Sequence, residues 1–202
     1  MASIYDIKPA FQNLLRPITQ RLADKGVTAN QVTIAALLLS LLTGIILVLS
    51  RQHMAVFLIV PLVMFIRMAL NAIDGMLARE HNMLSPLGAI LNELCDVVSD
   101  AALYLPFALL PNVSSWVIVL FVIAAIISEM TGVVAFQIGA SRRYDGPMGK
   151  SDRAFVFGAI ALALGLGLPP ASWMNELFMV VLILTMATSY NRARKALAEI
   201  KA

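Results

Sequence analysis

Residues 31–50, QVTIAALLLSLLTGIILVLS, contain no charged side chain over twenty positions. At ~1.5 Å of helical rise per residue, such a segment matches a hydrocarbon core of ~30 Å. Composition extends the point to the whole chain. Its 202 residues are 60% hydrophobic and 13% charged, which leaves too little polar surface for a water-soluble domain of this size. The expected class is an all-α integral membrane protein.

Five further apolar segments complete a set of six expected spans: 54–78, 86–109, 115–138, 154–168 and 177–190. The last two are short, and GLGLPPASW at 165–173 is the expected turn between them. Basic residues assign the faces. Lys8, Arg16, Arg21 and Lys25 precede the first span, and Arg79 follows the second. Arg142, Arg143, Lys150 and Arg153 lie between the fourth and fifth, and Arg192, Arg194, Lys195 and Lys201 follow the sixth. Only Arg51 falls on the opposite face, so the positive-inside rule puts both termini in the cytoplasm. An even number of spans requires the same. The excess of 15 basic over 12 acidic residues is thereby read as topology, and no nucleic-acid partner is expected. No cleavable signal peptide, internal repeat or low-complexity tract is expected, and the lone Cys95 excludes an intramolecular disulfide.

Residues 3–24 read as an amphipathic helix. Ile4, Ile7, Phe11, Leu14, Leu15, Ile18 and Leu22 recur at helical spacing, with Lys8, Arg16 and Arg21 between them. It is expected along the cytoplasmic bilayer surface or packed on its own protein, with a kink at Pro17. The expected organisation is a juxtamembrane helix over 1–25 and a six-helix domain over 26–202.

Against this background, 71–100 is anomalous: NAIDGMLAREHNMLSPLGAILNELCDVVSD carries five acids, one arginine and three asparagines. Residues three or four apart share a helix face. Asn71, Asp74 and Ala78 form one row with Gly75 beside it, and Asn92, Asp96 and Asp100 form a second. Ser85-Pro86 is a good helix start, and the short connection lets the rows face each other. A centrally placed Asp costs ~2.5–3.5 kcal/mol even on the lenient insertion scale. Asp74, Asp96, Asp100 and Glu93 would also repel. Protonation, cationic partners or a metal would each relieve that repulsion, and one Arg79 cannot neutralise them all. Oxygen-only donors suit Mg²⁺, Mn²⁺ or Ca²⁺. The small residues Gly75, Ala78 and Gly88 either allow close helix packing or admit a flat ligand. With Arg79, Lys150 and Arg153 nearby, a diphosphate would fit.

These residues resemble the signature of the CDP-alcohol phosphatidyltransferase family, D-x2-D-G-x2-A-R-x8-G-x3-D-x3-D. Every spacing is kept, and Asp74, Gly75, Ala78, Arg79, Gly88 and Asp96 match. The segment GVTANQVT at 26–33 is similar to the family as well. The resemblance implies a transferase of phospholipid biosynthesis that uses a CDP-linked lipid donor and a small alcohol acceptor and releases CMP. It implies one or two Mg²⁺ or Mn²⁺ ions held by Asn71, Asp74, Asn92, Asp96 and, one turn on, Asp100. Asp96 would be the general base. Asp74, Gly75, Ala78, Arg79 and Gly88 would bind the nucleotide, and Lys150 and Arg153 an acceptor or lipid phosphate. A homodimer among membrane lipids is implied, in the inner membrane if the source is bacterial.

Two ligand positions depart from the signature. Asn71 and Asn92 stand where it has aspartate, and an amide carbonyl binds a hard cation without adding charge. Weaker metal binding is expected, or a catalytically impaired nucleotide-lipid binding or regulatory protein on the same scaffold. A proton or ion conduit along Asp74, Asp96, Asp100 and Glu129 is disfavoured, because most of these acids crowd one hairpin. Elsewhere, Arg67 is expected to pair with Glu129, and Trp116 and Trp173 to sit at the outer interface.

Overall fold

The computed structural model describes residues 4–201. The extreme ends of the expected terminal segments, Met1–Ser3 and Ala202, lie outside these described residues. Seven α-helices account for most of the described chain: α1 (Ile4–Asp24), α2 (Ala29–Leu49), α3 (Ile59–Glu80), α4 (Pro86–Tyr104), α5 (Ser115–Val134), α6 (Lys150–Gly165) and α7 (Trp173–Glu199). No strand occurs among the described residues. Among the described residues, four segments are long and apolar enough to cross a membrane: Ala29–Leu49, Met54–Glu80, Ser115–Ile138 and Trp173–Glu199. The other two expected spans differ for physical reasons. Helix α4 carries Glu93, Asp96 and Asp100 in its 19 residues. Helix α6 has 16 residues, or ~24 Å at the helical rise.

The helix ends follow local chemistry. Thr28 and Gln31 form a reciprocal capping box at the start of α2: the Gln31 N–H donates to Thr28 Oγ1 at 3.3 Å, and the Thr28 N–H to Gln31 Oε1 at 2.9 Å. Ser85 Oγ accepts from the Gly88 N–H at 3.0 Å, which caps α4 just ahead of Pro86 as the Ser-Pro pair predicts. Pro17 lies inside α1 without ending it. Helix α7 outruns its expected range of 177–190. Alanine, arginine, lysine and leucine, all good helix formers, carry it on to Glu199.

The chain divides into two compact units. The first contains α1, α2 up to Leu42, α3 from Leu62 and α4 up to Ser99. Its core joins Leu15 of α1, Ala29 and Val32 of α2, and Ile73, Met76 and Leu77 of α3. Phe11, Leu15 and Leu22 of α1 thus face protein, whereas Leu14 and Ile18 remain exposed.

The second unit contains Thr43–Pro61 and everything from Asp100 onward. Its centre is aromatic. Phe157 of α6 lies 4.4 Å from the Tyr104 ring, 4.8 Å from Phe121 and 5.3 Å from Phe178, measured between ring centroids. Gly44 permits a close approach here, because a Cβ at that position would sit 2.4 Å from the Ala102 carbonyl oxygen.

Candidate functional site

The two polar rows do face each other. Asn71 of α3 reaches across to α4, where its Nδ2 donates to Asp96 Oδ1 at 3.0 Å. One turn earlier on α3, Arg67 supplies a second donor. Its Nη2 lies 3.2 Å from Asp96 Oδ1 and 3.0 Å from the Asp96 backbone carbonyl. Two donors on one carboxylate oxygen fix the rotation of the Asp96 side chain. Asp74 is held from a different helix: Thr33 Oγ1 of α2 donates to Asp74 Oδ2 at 2.8 Å, and both residues are buried.

The expected pairing of Arg67 with Glu129 is corrected by this geometry. Arg67 binds Asp96, its neighbour across the α3–α4 hairpin, and a guanidinium cannot turn from an adjacent carboxylate toward one on α5 without losing that bond. Glu129 has its own partners in the second unit. Its Oε1 accepts from Arg153 Nη2 at 2.8 Å and lies 3.3 Å from Arg192 Nη1. Arg153 also approaches Asp100 Oδ2 at 3.7 Å. Arg192, counted from the sequence among the flanking cytoplasmic charges, is therefore a buried partner of Glu129. The extension of α7 past Tyr190 carries it into the helical packing.

The remaining candidates divide by environment. Gly75 lies under the Arg79 guanidinium, since a Cβ there would meet Nη2 at 2.8 Å, and Arg79 itself is exposed. Gly88 faces Asn30, whose Oδ1 would be 2.8 Å from an added Cβ. Ala78 packs on the core of the first unit. Asn92 is half-buried on α4, one turn before Asp96, and Lys150 is half-buried at the start of α6. Arg153 is fully buried, with 0% side-chain exposure, between Glu129 and Asp100. Thr33 and Asn30 were not singled out by sequence reasoning. Both lie inside GVTANQVT, the segment whose likeness to the family could have pointed to them.

The donor chemistry decides what cation these residues fit. Asp74 and Asp96 are the carboxylates of the facing rows in the first unit, with Asn71 and Asn92 beside them as amides. No three His, Cys, Asp or Glu side chains converge at metal-binding spacing among the described residues. Asp100 lies within ion-pairing distance of Arg153. Two carboxylates balance one hard divalent cation, and amide carbonyls can complete its oxygen shell. These donor types suit a hard divalent cation.

Comparison with known proteins agrees with the signature. The sequence profile of the CDP-alcohol phosphatidyltransferase family matches residues 26–195. An inner membrane protein of Escherichia coli, YnbA, is 50% identical over 195 residues, 96% of each chain. An archaetidylinositol phosphate synthase of Pyrococcus horikoshii is 33% identical over 103 residues, 51% of this chain and 52% of the relative. The fold is similar to two structures of a Mycobacterium tuberculosis phosphatidylinositol phosphate synthase. One, with manganese and citrate, gives a TM-score of 0.74 at 18% identity, covering 90% of this chain and 88% of that one. The other, with CDP-DAG bound, gives 0.73 at 19% identity, covering 89% and 92%.

Proposed function

Because the chain belongs to the CDP-alcohol phosphatidyltransferase family, we propose that it is a membrane-embedded transferase of phospholipid biosynthesis. It moves a phosphatidyl or other substituted phosphate group from a CDP-linked lipid to a small alcohol and releases CMP. The observation that carries this reading is the facing of the two signature helices, where Asn71 and Arg67 of α3 hold Asp96 of α4. Support comes from the manganese-bound and CDP-DAG-bound structures of similar fold and from the synthase relative.

In the proposed reaction the acceptor hydroxyl oxygen bonds to the β-phosphorus of the donor. The bond from that phosphorus to the CMP oxygen breaks, and Asp96 takes the hydroxyl proton. Arg67 and Asn71 hold the Asp96 carboxylate in one orientation, and Thr33 does the same for Asp74. Gly75, Ala78 and Gly88 give the nucleotide room between the helices, with Arg79 and Asn30 bordering it. Asp74, Asp96 and the carbonyls of Asn71 and Asn92 would hold Mg²⁺ or Mn²⁺. When bound, such an ion disperses charge on the phosphoryl oxygens. Lys150, at the start of α6, would bind an acceptor or lipid phosphate, while Arg153 is paired with Glu129 and lies near Asp100. The proposed topology has six spans, α1 on the cytoplasmic surface and both termini inside, with two copies forming a homodimer.

A second reading, a nucleotide-lipid binding protein without turnover, is favoured by Asn71 and Asn92 at ligand positions. A lipid-product screen by mass spectrometry after overexpression separates the two. The transferase reading expects a new phospholipid with the wild type and none with Asp74→Asn. Identical lipid profiles, alongside retained CDP-lipid binding, would establish the second reading.

A further inference from the structure

Arg67 touches Asp96, the carboxylate that the resemblance assigns as metal ligand and general base. The family resemblance implies four aspartates around two divalent ions. This chain has asparagine at two of the four positions, and it has a buried arginine one turn before the first of them.

The geometry links Arg67 and Asn71 at Asp96. Asn71 Nδ2 stands 3.0 Å from Asp96 Oδ1. An aspartate at 71 would bring two carboxylates to hydrogen-bond distance, an arrangement that requires a shared proton or a cation between them. Here an amide N–H occupies that space and donates. The alternative amide orientation would oppose oxygen to oxygen, so the donor assignment follows from the network. Arg67 then supplies the positive charge, with Nη2 on both the carboxylate and the backbone carbonyl of Asp96. The guanidinium is almost wholly enclosed, so its attraction for Asp96 is little screened by solvent.

We propose that Arg67, together with Asn71, takes the place of one of the two divalent ions beside Asp96. Arg67 is then a positioning residue, and the site takes up a single Mg²⁺ or Mn²⁺. The inference rests on the transferase reading for the identity of the site, and on the Arg67–Asn71–Asp96 network for its content.

The test is Mn²⁺ stoichiometry by electron paramagnetic resonance, on the full chain in nanodiscs containing CDP-diacylglycerol. About one ion per chain is expected for the wild type, and about one for Asn71→Asp/Asn92→Asp with Arg67 intact. Adding Arg67→Gln to that double variant should raise the count to about two, and Arg67→Lys in the same background should return it to about one. Two ions in the wild type, or in the double variant that keeps Arg67, would overturn the proposal, as would no ion in any variant. Size-exclusion profiles report whether the Arg67→Gln protein is folded. If it is not, the first two counts still decide. CMP release followed on the same samples keeps the two ideas apart: one ion without turnover for any acceptor rejects the transferase reading and leaves the role of Arg67 standing.

Discussion

Glu129 is the hub on which the second unit's buried charges converge, and its removal should cost more than removal of either spoke. Its carboxylate serves Arg153 at 2.8 Å and Arg192 at 3.3 Å, and those guanidiniums are 0% and 2% exposed. Glu129→Ala leaves two enclosed cations, with Asp100 at 3.7 Å from Arg153 as the remaining acid. Breaking a buried pair by removing one partner costs about 3–5 kcal/mol. For a chain of this length each kcal/mol lowers the melting temperature by about 2–4 °C, so the expected loss is about 6–20 °C. Glu129→Gln keeps a neutral acceptor and should lose about half as much. Arg153→Leu leaves Glu129 still paired with Arg192, so it should fall below Glu129→Ala in cost. The assay is fluorescence-detected size-exclusion chromatography after a temperature ramp, on detergent-solubilised protein. A Glu129→Ala variant that melts within about 2 °C of the wild type would refute the hub. So would an Arg153→Leu variant that is the less stable of the two.

Thr33→Val removes the hydroxyl that holds Asp74 while keeping its shape. A loss of about 1–3 kcal/mol in stability or donor binding is expected, read by calorimetry with CDP-diacylglycerol. Asp145 lies in the loop before α6, where Lys195 Nζ donates to it at 2.7 Å and Arg143 Nε at 2.8 Å. The lysine hydrogen bond, followed by that from arginine, holds its pKa below the usual carboxylate value. A carboxyl more acidic in the folded state contributes stability above its unfolded pKa of about 4 and loses it as pH falls through the folded value. Melting curves between neutral and acid pH should therefore converge for wild type and Asp145→Asn at the acid end, and a gap constant with pH would contradict this.

The helical membrane class and the facing of two polar rows were legible because both rest on spacing. Twenty uncharged residues imply a helix of span length, and i, i+4 positions share a face wherever a helix forms. What the spacing could not supply was the choice of partner for each charge. Arg67 could serve any acid at its depth. It takes Asp96 because a hairpin places α3 against α4, whereas Glu129 takes Arg153 and Arg192 within the second unit. Arg192 followed an apolar segment, as a flanking charge does, and only the continuation of α7 to Glu199 buries it. Thr33 lay within the family-like segment GVTANQVT, but its hydroxyl's partner, Asp74, is 41 residues away on another helix and cannot be read from local spacing. The asparagines at 71 and 92 were visible as departures from the signature. That Asn71 acts as a donor toward Asp96 depends on a distance across two helices, which no single helix's periodicity contains.

The central claim is that Asp96, held by α3, takes the proton in a metal-dependent phosphatidyl transfer. Its most direct test is CMP release in proteoliposomes supplied with CDP-diacylglycerol, a panel of small alcohols, and Mg²⁺ or Mn²⁺. The account predicts release with at least one acceptor, loss of release on chelation, and none from an Asp96→Asn protein that still folds. Undiminished release from Asp96→Asn, or no release from the wild type beside an active control enzyme, would contradict it.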